Sequence, residues 1–379
     1  MKILHIISGL PIGGAETMLY KLLSVIERDI FEPVVISLTD YGSLGNNIKK
    51  LNIPVYKMEM SAGFPNPFKV WRFIKLIRKI NPELIQGWMY HGNLAALLAK
   101  WVLPNHVPLL WNIRHTPDDL KKEKRTTARV IRLGARLSAK PDQIIYNSKV
   151  SAQKHESIGY SDKHKNIIPN GFNCEQFKPF DNAKSKLRHS LGLKEDILLI
   201  GLVARFHIMK DHVGFLHSAG NLNKIYPEIH FVLVGEGVDK DNHLLIKLIQ
   251  DLKISKNVHL LGKRIDVHEI TAGLDIACSS SSWGESFSNA IGEAMACAIP
   301  CIVTDVGDSA QIVGESGIVV KPRDREAFTD AMVRLIKMSS EERLGWGKLA
   351  RNRIIKHFSI IRVVKQYENL YRDILNTKY

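Results

Sequence analysis

The chain has little cysteine. Cys174, Cys278, Cys297 and Cys301 are scattered over 379 residues with no C-x-x-C pair. Four such residues neither staple a small secreted scaffold nor match a zinc or redox motif, so reduced thiols in a cytoplasmic protein are expected. Long hydrophobic runs are also missing, and no stretch approaches the ~18 uninterrupted apolar residues of a spanning helix. The opening Met1-Lys2-Ile3-Leu4-His5-Ile6-Ile7-Ser8 has one lysine, a short apolar run and no small-residue cleavage site. It reads as a strand rather than a signal peptide. Low-complexity tracts are absent, and a composition of 45% hydrophobic and 24% charged residues is that of an ordinary folded enzyme. Together these absences exclude a secreted miniprotein, an integral membrane protein and a fibre.

Acid is in short supply as well. The 38 Asp+Glu stand against 53 Lys+Arg, a net charge of +15, which calls for an anionic partner such as a nucleotide, a phospholipid surface or nucleic acid. The excess is uneven: residues 1–180 hold 26 Lys+Arg and 14 Asp+Glu, a net of +12, leaving +3 for the remainder. Two stretches carry it. Lys69–Lys79 reads as an amphipathic helix with Trp71, Phe73, Ile74 and Ile77 beside Lys69, Arg72, Lys75, Arg78 and Lys79. Lys121–Lys140 adds Lys121, Lys122, Lys124, Arg125, Arg129, Arg132, Arg136 and Lys140 against Glu123 alone. Basic amphipathic helices suit anionic membrane surfaces. No nucleic-acid motif or regular interleaving of stacking aromatics accompanies them, so nucleic acid is not an expected partner.

At roughly 100–200 residues per domain the length suggests two domains. Short β-branched runs alternate with helical patterns throughout, the signature of parallel α/β sheets. Strands are expected at Lys2–Ser8, Pro33–Leu38, Val55–Met58, Leu84–Trp88, Leu109–Ile113 and Gln143–Asn147. A second series runs through Ile197–Ala204, His230–Val234, Val258–Leu261, Asp275–Ser279 and Pro300–Thr304. The break between them falls at Pro169–Phe180. The fold class is α/β, as two Rossmann-like doubly wound domains facing across a cleft. The expected divisions are 1–175, 176–355 and a C-terminal helix, 356–379, packing back on the first domain; Ser340–Thr377 reads as one or two amphipathic helices. Ligands belong at the carboxyl ends of the strands.

Three motifs stand there. Gly13-Gly14-Ala15-Glu16 links the first strand to the first helix, where backbone N–H groups and the helix dipole suit an anion, although the spacing is not G-x-G-x-x-G. Arg205 and Lys210 sit at a strand-to-helix crossover, a planar fork and a point charge suited to a diphosphate. Glu285 in a loop and Glu293 two turns into the following helix fall on one face, with small Ser and Gly residues around them. A literal D-x-D, Asp239-Lys240-Asp241, falls where a helix should start and reads as a cap; its intervening Lys opposes a divalent cation, and no metal is expected.

In order, Gly13–Glu16, Asn147-Ser148-Lys149, Ile168-Pro169-Asn170-Gly171, Val203-Ala204-Arg205 with Lys210, Val234-Gly235-Glu236-Gly237, Glu285…Glu293 before Ile299-Pro300, and Asp305-Val306-Gly307 span 13 to about 320. This set resembles glycosyltransferase family 4, the group 1 retaining transferases of the GT-B fold. The resemblance implies that Arg205 and Lys210 hold a donor diphosphate, Glu293 the ribose hydroxyls and Glu285 the transferred sugar. It also implies that backbone N–H groups near Phe287 and Ser288 face the diphosphate. Gly14 would let the first loop close over the donor, with Gly235 and Glu236 near the base pocket. Family members often carry a His beside the donor sugar; His115, after a strand of the first domain, fits that place, and His91, at another strand end, is the second candidate. Catalytic roles thus fall to His115, Glu285, Arg205 and Lys210, and acceptor-side positions to His91 and Asn170.

The implied activity is retaining sugar transfer without metal or cofactor from a UDP- or GDP-sugar to a glycan or polyprenyl-diphosphate-linked glycan, in cell-surface polysaccharide synthesis. The enzyme would sit peripherally on the inner face of the plasma membrane, and closure about 170–180 would assemble the site. A nucleotide-sugar epimerase of the same fold and a non-catalytic polyanion binder are the alternatives.

Overall fold

The computed structural model describes residues 1–60, 66–103, 106–117, 120, 121 and 123–376; Lys122 and Thr377 lie outside the described residues. The chain forms two compact units, one of Met1–Gly171 with Ile360–Tyr379 and one of Phe172–Ser359. The first boundary falls ahead of the expected 175/176, the second after the expected 355/356.

In the first unit β1 (Lys2–Ile7), α1 (Gly14–Val25), β2 (Glu32–Ser37), α2 (Gly42–Lys49), β3 (Val55–Lys57), α3 (Pro67–Ile80), β4 (Leu84–Trp88) and α4 (Met89–Val102) follow in turn. Then come β5 (Leu109–Ile113), α5 (Arg125–Leu137), β6 (Gln143–Tyr146), α6 (Lys149–Ser157) and β7 (Lys165–Ile167). The sheet order is β3-β2-β1-β4-β5-β6-β7, parallel throughout. Helices cover both faces of such a sheet, so its central strands are apolar without alternation: Ile3, Leu4, Ile6 and Ile7 are all fully buried.

The second unit runs α7 (Ala183–Ser190), β8 (Leu199–Val203), α8 (His212–Asn223), β9 (His230–Val234), α9 (His243–Asp251), β10 (Val258–Leu260), α10 (Val267–Ala272) and β11 (Ile276–Ser279). It continues with α11 (Asn289–Ala296), β12 (Cys301–Thr304), α12 (Ser309–Val313), β13 (Gly317–Val320), α13 (Arg325–Lys337) and α14 (Ser340–Phe358). Its sheet is β10-β9-β8-β11-β12-β13, again parallel.

The last element, α15 (Ile360–Asn376), belongs to the first unit. A capping box starts α14, with Ser339 Oγ accepting from Glu342 N–H at 3.2 Å and Glu342 accepting from Ser339 N–H at 2.7 Å. Extended backbone at Ser359 ends it, so the described part of this segment, 340–376, is two helices. Val363, Val364, Tyr367 and Tyr371 form the buried stripe of α15. Tyr367 stacks on Trp88 (6.4 Å) and Tyr371 meets Phe31 edge-on (5.8 Å).

Candidate functional site

Strand order in the second unit reverses between β8 and β11, and in an open α/β sheet the crevice beyond those two strand ends is the place for a ligand. The loop after β8 carries Arg205 and Lys210, and the loop after β11 carries Glu285. Lys210 ends a tight turn, after which Asp211 takes a left-handed conformation (φ 50°) and accepts from Gly214 N–H at 2.9 Å to cap α8. Ser280 Oγ donates to the carbonyls of Lys210 (2.8 Å) and Asp211 (3.2 Å), and Ser282 N–H donates to Met209 (2.7 Å). The two loops are thereby stapled together.

Across this staple the Lys210 ammonium pairs directly with the Glu285 carboxylate, to which Ser281 Oγ also donates at 3.2 Å. Glu285 is 9% exposed and Lys210 half-buried, so each charge holds the other in place. A third loop braces the acid from behind. Gly307 has φ 61°, and a Cβ there would stand 2.2 Å from the Glu285 carbonyl oxygen; Asp308 N–H donates to Ser286 at 3.1 Å. Thr304 Oγ1 ties the end of β12 to Ser281 (2.6 Å).

These elements enclose a pocket lined by Val203, Ala204, Lys210, Ser279, Ser280 and Ser281 on one side and Glu285, Phe287, Ser288, Asn289 and Ala290 on the other. The Phe287 ring stacks on Phe172 (6.0 Å) and tilts against Phe358 (5.7 Å), so the core holds the side chain. Ser288, the N-cap of α11, makes no side-chain cap hydrogen bond, and the first N–H groups of any helix have no partner within it. A cation, a helix N-terminus and small hydroxyls form the chemistry of an anion site.

Gly235 borders the same loops. A Cβ there would stand 2.1 Å from the Ala204 carbonyl oxygen, and Phe206 N–H donates to Glu236 at 2.7 Å, while the Glu236 side chain is exposed. Arg205 is exposed beside the pocket; Glu293 is half-buried on α11 and is not part of the pocket lining. The Asp239–Asp241 expectation needs correction: the N-cap of α9 is Asn242, accepting from Leu245 N–H at 3.3 Å. Asp239 instead closes a turn by accepting from Asp241 N–H at 3.1 Å. Among the described residues no group of three or more His, Cys, Asp and Glu is arranged to hold a metal.

In the first unit Gly14 is exposed at the start of α1. Burial raises the Glu16 carboxyl in the first turn above its ordinary value, against a backbone hydrogen bond that lowers it. His115 follows β5, half-buried, with Nδ1 3.1 Å from Tyr90 OH and Nε2 3.5 Å from Glu123. Burial holds its pKa below the ordinary value, and Glu123 opposes the shift. His91 does not end a strand: β4 stops at Trp88, and His91 lies exposed in the first turn of α4. Asn170 is buried, its Oδ1 accepting from Arg114 Nε (2.9 Å) and Nη2 (2.7 Å). Sequence reasoning missed Tyr90, His155 and Arg114, whose partners are remote in sequence. The run Ser279–Ser282, from the end of β11 onward, was a readable sign of the pocket wall.

The basic face also departs from expectation. On α3 the buried stripe is Phe73, Ile77 and Ile80, whereas Trp71 points outward with Phe68 (54% and 64% exposed), the two rings stacked at 5.8 Å. Lys75 Nζ lies 5.2 Å from the Trp71 ring centre. Trp101, 61% exposed, ends α4, and Arg78 Nε donates to Val102 at 3.2 Å, joining the two helix ends. On α5, Arg125, Arg129, Arg132 and Arg136 are exposed at helical spacing. Among the described residues no helix is long and apolar enough to cross a membrane.

Comparison with known proteins gives two family matches: Glycosyltransferase Family 4 over residues 12–176 and Glycosyl transferases group 1 over residues 183–353. An Escherichia coli protein named UDP-Gal:alpha-D-GlcNAc-diphosphoundecaprenol alpha-1,3-galactosyltransferase is 31% identical over 56% of this chain; the chain spans about half of that relative, 55%. The N-acetyl-alpha-D-glucosaminyl L-malate synthase of Bacillus anthracis is 25% identical over 74% of this chain and 72% of its own. The solved structure of Anabaena HepE in complex with UDP superposes with a TM-score of 0.84 at 22% identity, over 98% of this chain and all of that one, a likeness of fold.

Proposed function

The chain belongs to the group 1 glycosyltransferases of family 4, with their GT-B fold, and on that footing we propose that it moves a hexose, with retention, from a UDP- or GDP-sugar to a lipid-linked glycan in cell-surface polysaccharide synthesis. The observation that carries this reading is the Lys210–Glu285 pair at the β8/β11 reversal, in one pocket with the first residues of α11. The donor diphosphate meets Lys210 and the backbone N–H groups at 287–290, with Arg205 as a second cation. Glu293 takes the ribose hydroxyls, the 235–236 loop borders the base, and Glu285 receives the transferred sugar. Catalysis is then electrostatic: fixed cations and N–H dipoles stabilise the charge that develops on the departing diphosphate. The acceptor attacks from the face the diphosphate leaves, so no protein nucleophile or metal takes part.

The acceptor half rests on the basic unit. Like charges four apart on a helix each cost about 0.2–0.5 kcal/mol, and the arginine stripe of α5 repeats them. An anionic surface removes that cost, and the exposed Phe68, Trp71 and Trp101 rings suit a headgroup layer. The two relatives differ in acceptor, one named for a diphosphoundecaprenol lipid and one for L-malate. A cationic, aromatic face favours the lipid and a peripheral place on the inner membrane leaflet.

Calorimetric titration with UDP-, GDP- and ADP-sugars tests the donor half: one class binds the wild type, and Lys210→Ala weakens it by about 100-fold or more. Unchanged binding in that variant overturns the site. Free nucleoside diphosphate released only when an acceptor is present supports transfer. Donor converted to a new sugar nucleotide without acceptor identifies an epimerase instead.

A further inference from the structure

Beneath His115 lies a chain of buried polar groups with no part in the donor site. His155 on α6 is fully buried, and its Nδ1 is 2.7 Å from the Ser151 carbonyl, which only accepts, so Nδ1 carries a proton. Its surroundings are the rings of Tyr160 (4.9 Å), Tyr146 (5.4 Å) and Tyr90 (5.8 Å). Burial holds the imidazole neutral, its pKa lowered to about 4, with the Ser151 hydrogen bond opposing and His115 adding to the shift. Nε2 of His155 is therefore a bare acceptor. Tyr90 OH, 2.9 Å away, has one proton and gives it there; burial keeps the Tyr90 phenol protonated. Only lone pairs then remain on Tyr90 oxygen for His115 Nδ1 at 3.1 Å, and that nitrogen must be the donor. Ser151 Oγ fixes the same loop by donating to the His115 carbonyl at 2.7 Å.

We propose that Tyr90 and His155 are positioning residues that hold neutral His115 as its Nδ1–H tautomer and present Nε2 as a hydrogen-bond acceptor to a hydroxyl of the substrate sugar. The inference rests on the reading of His115 as a reacting group and deepens it. Free imidazole prefers no such orientation, and Glu123, 3.5 Å from Nε2, by itself favours a proton on Nε2. The buried chain opposes that preference. When His115 does take a proton at Nε2, Glu123 becomes its counter-charge and Tyr90 still accepts from Nδ1, so one arrangement serves both protonation states. The groups that face His115 are Tyr90 from α4, His155 from α6 and Glu123 from the segment before α5. Those that face His155 are Tyr90, Tyr146, Tyr160 and His115.

The test is nitrogen NMR of the full chain labelled in its histidine rings, with His115 assigned by its loss in His115→Gln. The expected wild-type spectrum, above the titration of His115, places the unprotonated resonance at Nε2. In Tyr90→Phe, which keeps the ring and removes one oxygen, and in His155→Gln, the proton moves toward Nε2 and Glu123. A wild type protonated at Nε2, or a Tyr90→Phe spectrum like the wild type, overturns the proposal; a matching melting temperature certifies the fold. In transfer assays Tyr90→Phe lowers kcat about tenfold, leaves donor KM within about twofold and displaces the acid limb of the pH profile. Full turnover in His115→Ala overturns the reading of His115 as a reacting group, while the spectrum decides the tautomer separately.

Discussion

A single carbon atom is enough to probe the proposed donor pocket. At Gly307, Ala would place Cβ 2.2 Å from the Glu285 carbonyl in a backbone conformation that costs an L-residue about 1–2 kcal/mol. Gly307→Ala is expected to lower the melting temperature and to weaken nucleotide-sugar binding at least tenfold by pushing Glu285 off Lys210; calorimetry on the folded variant reads both effects. The same scale sets what a sequence discloses. Lys210 and Glu285 were legible because each follows a strand end, where α/β folds keep ligands. Their direct pairing was not, since it depends on the strand order. Tyr90, His115 and His155 were out of reach for the same reason: the partners of Tyr90 stand 25 and 65 positions away. Asn242 rather than an Asp caps α9 because the helix begins at His243, directly after it.

Among the elements, the strands that read most clearly are the buried central ones. Leu84–Trp88, Leu109–Ile113 and His230–Val234 have the bounds expected from their apolar runs. The edge strands β7 and β13 escaped, being short and half-covered, with Lys165 and Gly317 where a central strand would be apolar. Helix α3 has a clear period but an ambiguous face: Trp71 follows the apolar pattern and yet joins Phe68 outside. The proposed membrane contact would give that placement a use. Co-sedimentation with vesicles containing phosphatidylglycerol is expected to exceed that with neutral vesicles, to fall with added salt, and to drop several-fold in the Phe68→Ala/Trp71→Ala pair. Equal recovery on neutral and anionic vesicles counts against a peripheral site.

The whole molecule carries its histidines as a record of acid sensitivity. Burial lowers His155 of the first unit to about 4 and His212 of the second to about 4. Each unfolded imidazole binds a proton near 6.5, so between about 6.5 and 4 the unfolded chain holds more protons than the folded one. This contribution is fully present above 6.5 and is lost as the pH falls toward 4, by on the order of 3 kcal/mol for each histidine. Melting temperatures should be level from pH 8 to 7 and fall steeply below 6; His155→Gln should flatten part of that slope, and an unchanged slope would assign it elsewhere.

Two parallel sheets were readable from the alternation of strands and helices, and the last helix, expected to pack back on the first domain, belongs to the first unit. That return has a consequence for synthesis. Residues 172–359 are complete as a unit before α15 emerges from the ribosome, whereas the unit translated first still lacks the helix that covers Trp88 and Phe31. Gln86, Asn112 and Arg114, whose hydrogen bonds end on the Tyr371 and Tyr367 hydroxyls, wait for it as well. The first unit is thus closed by the last helix of the chain, so its sheet is completed only when both ends of the sequence are present.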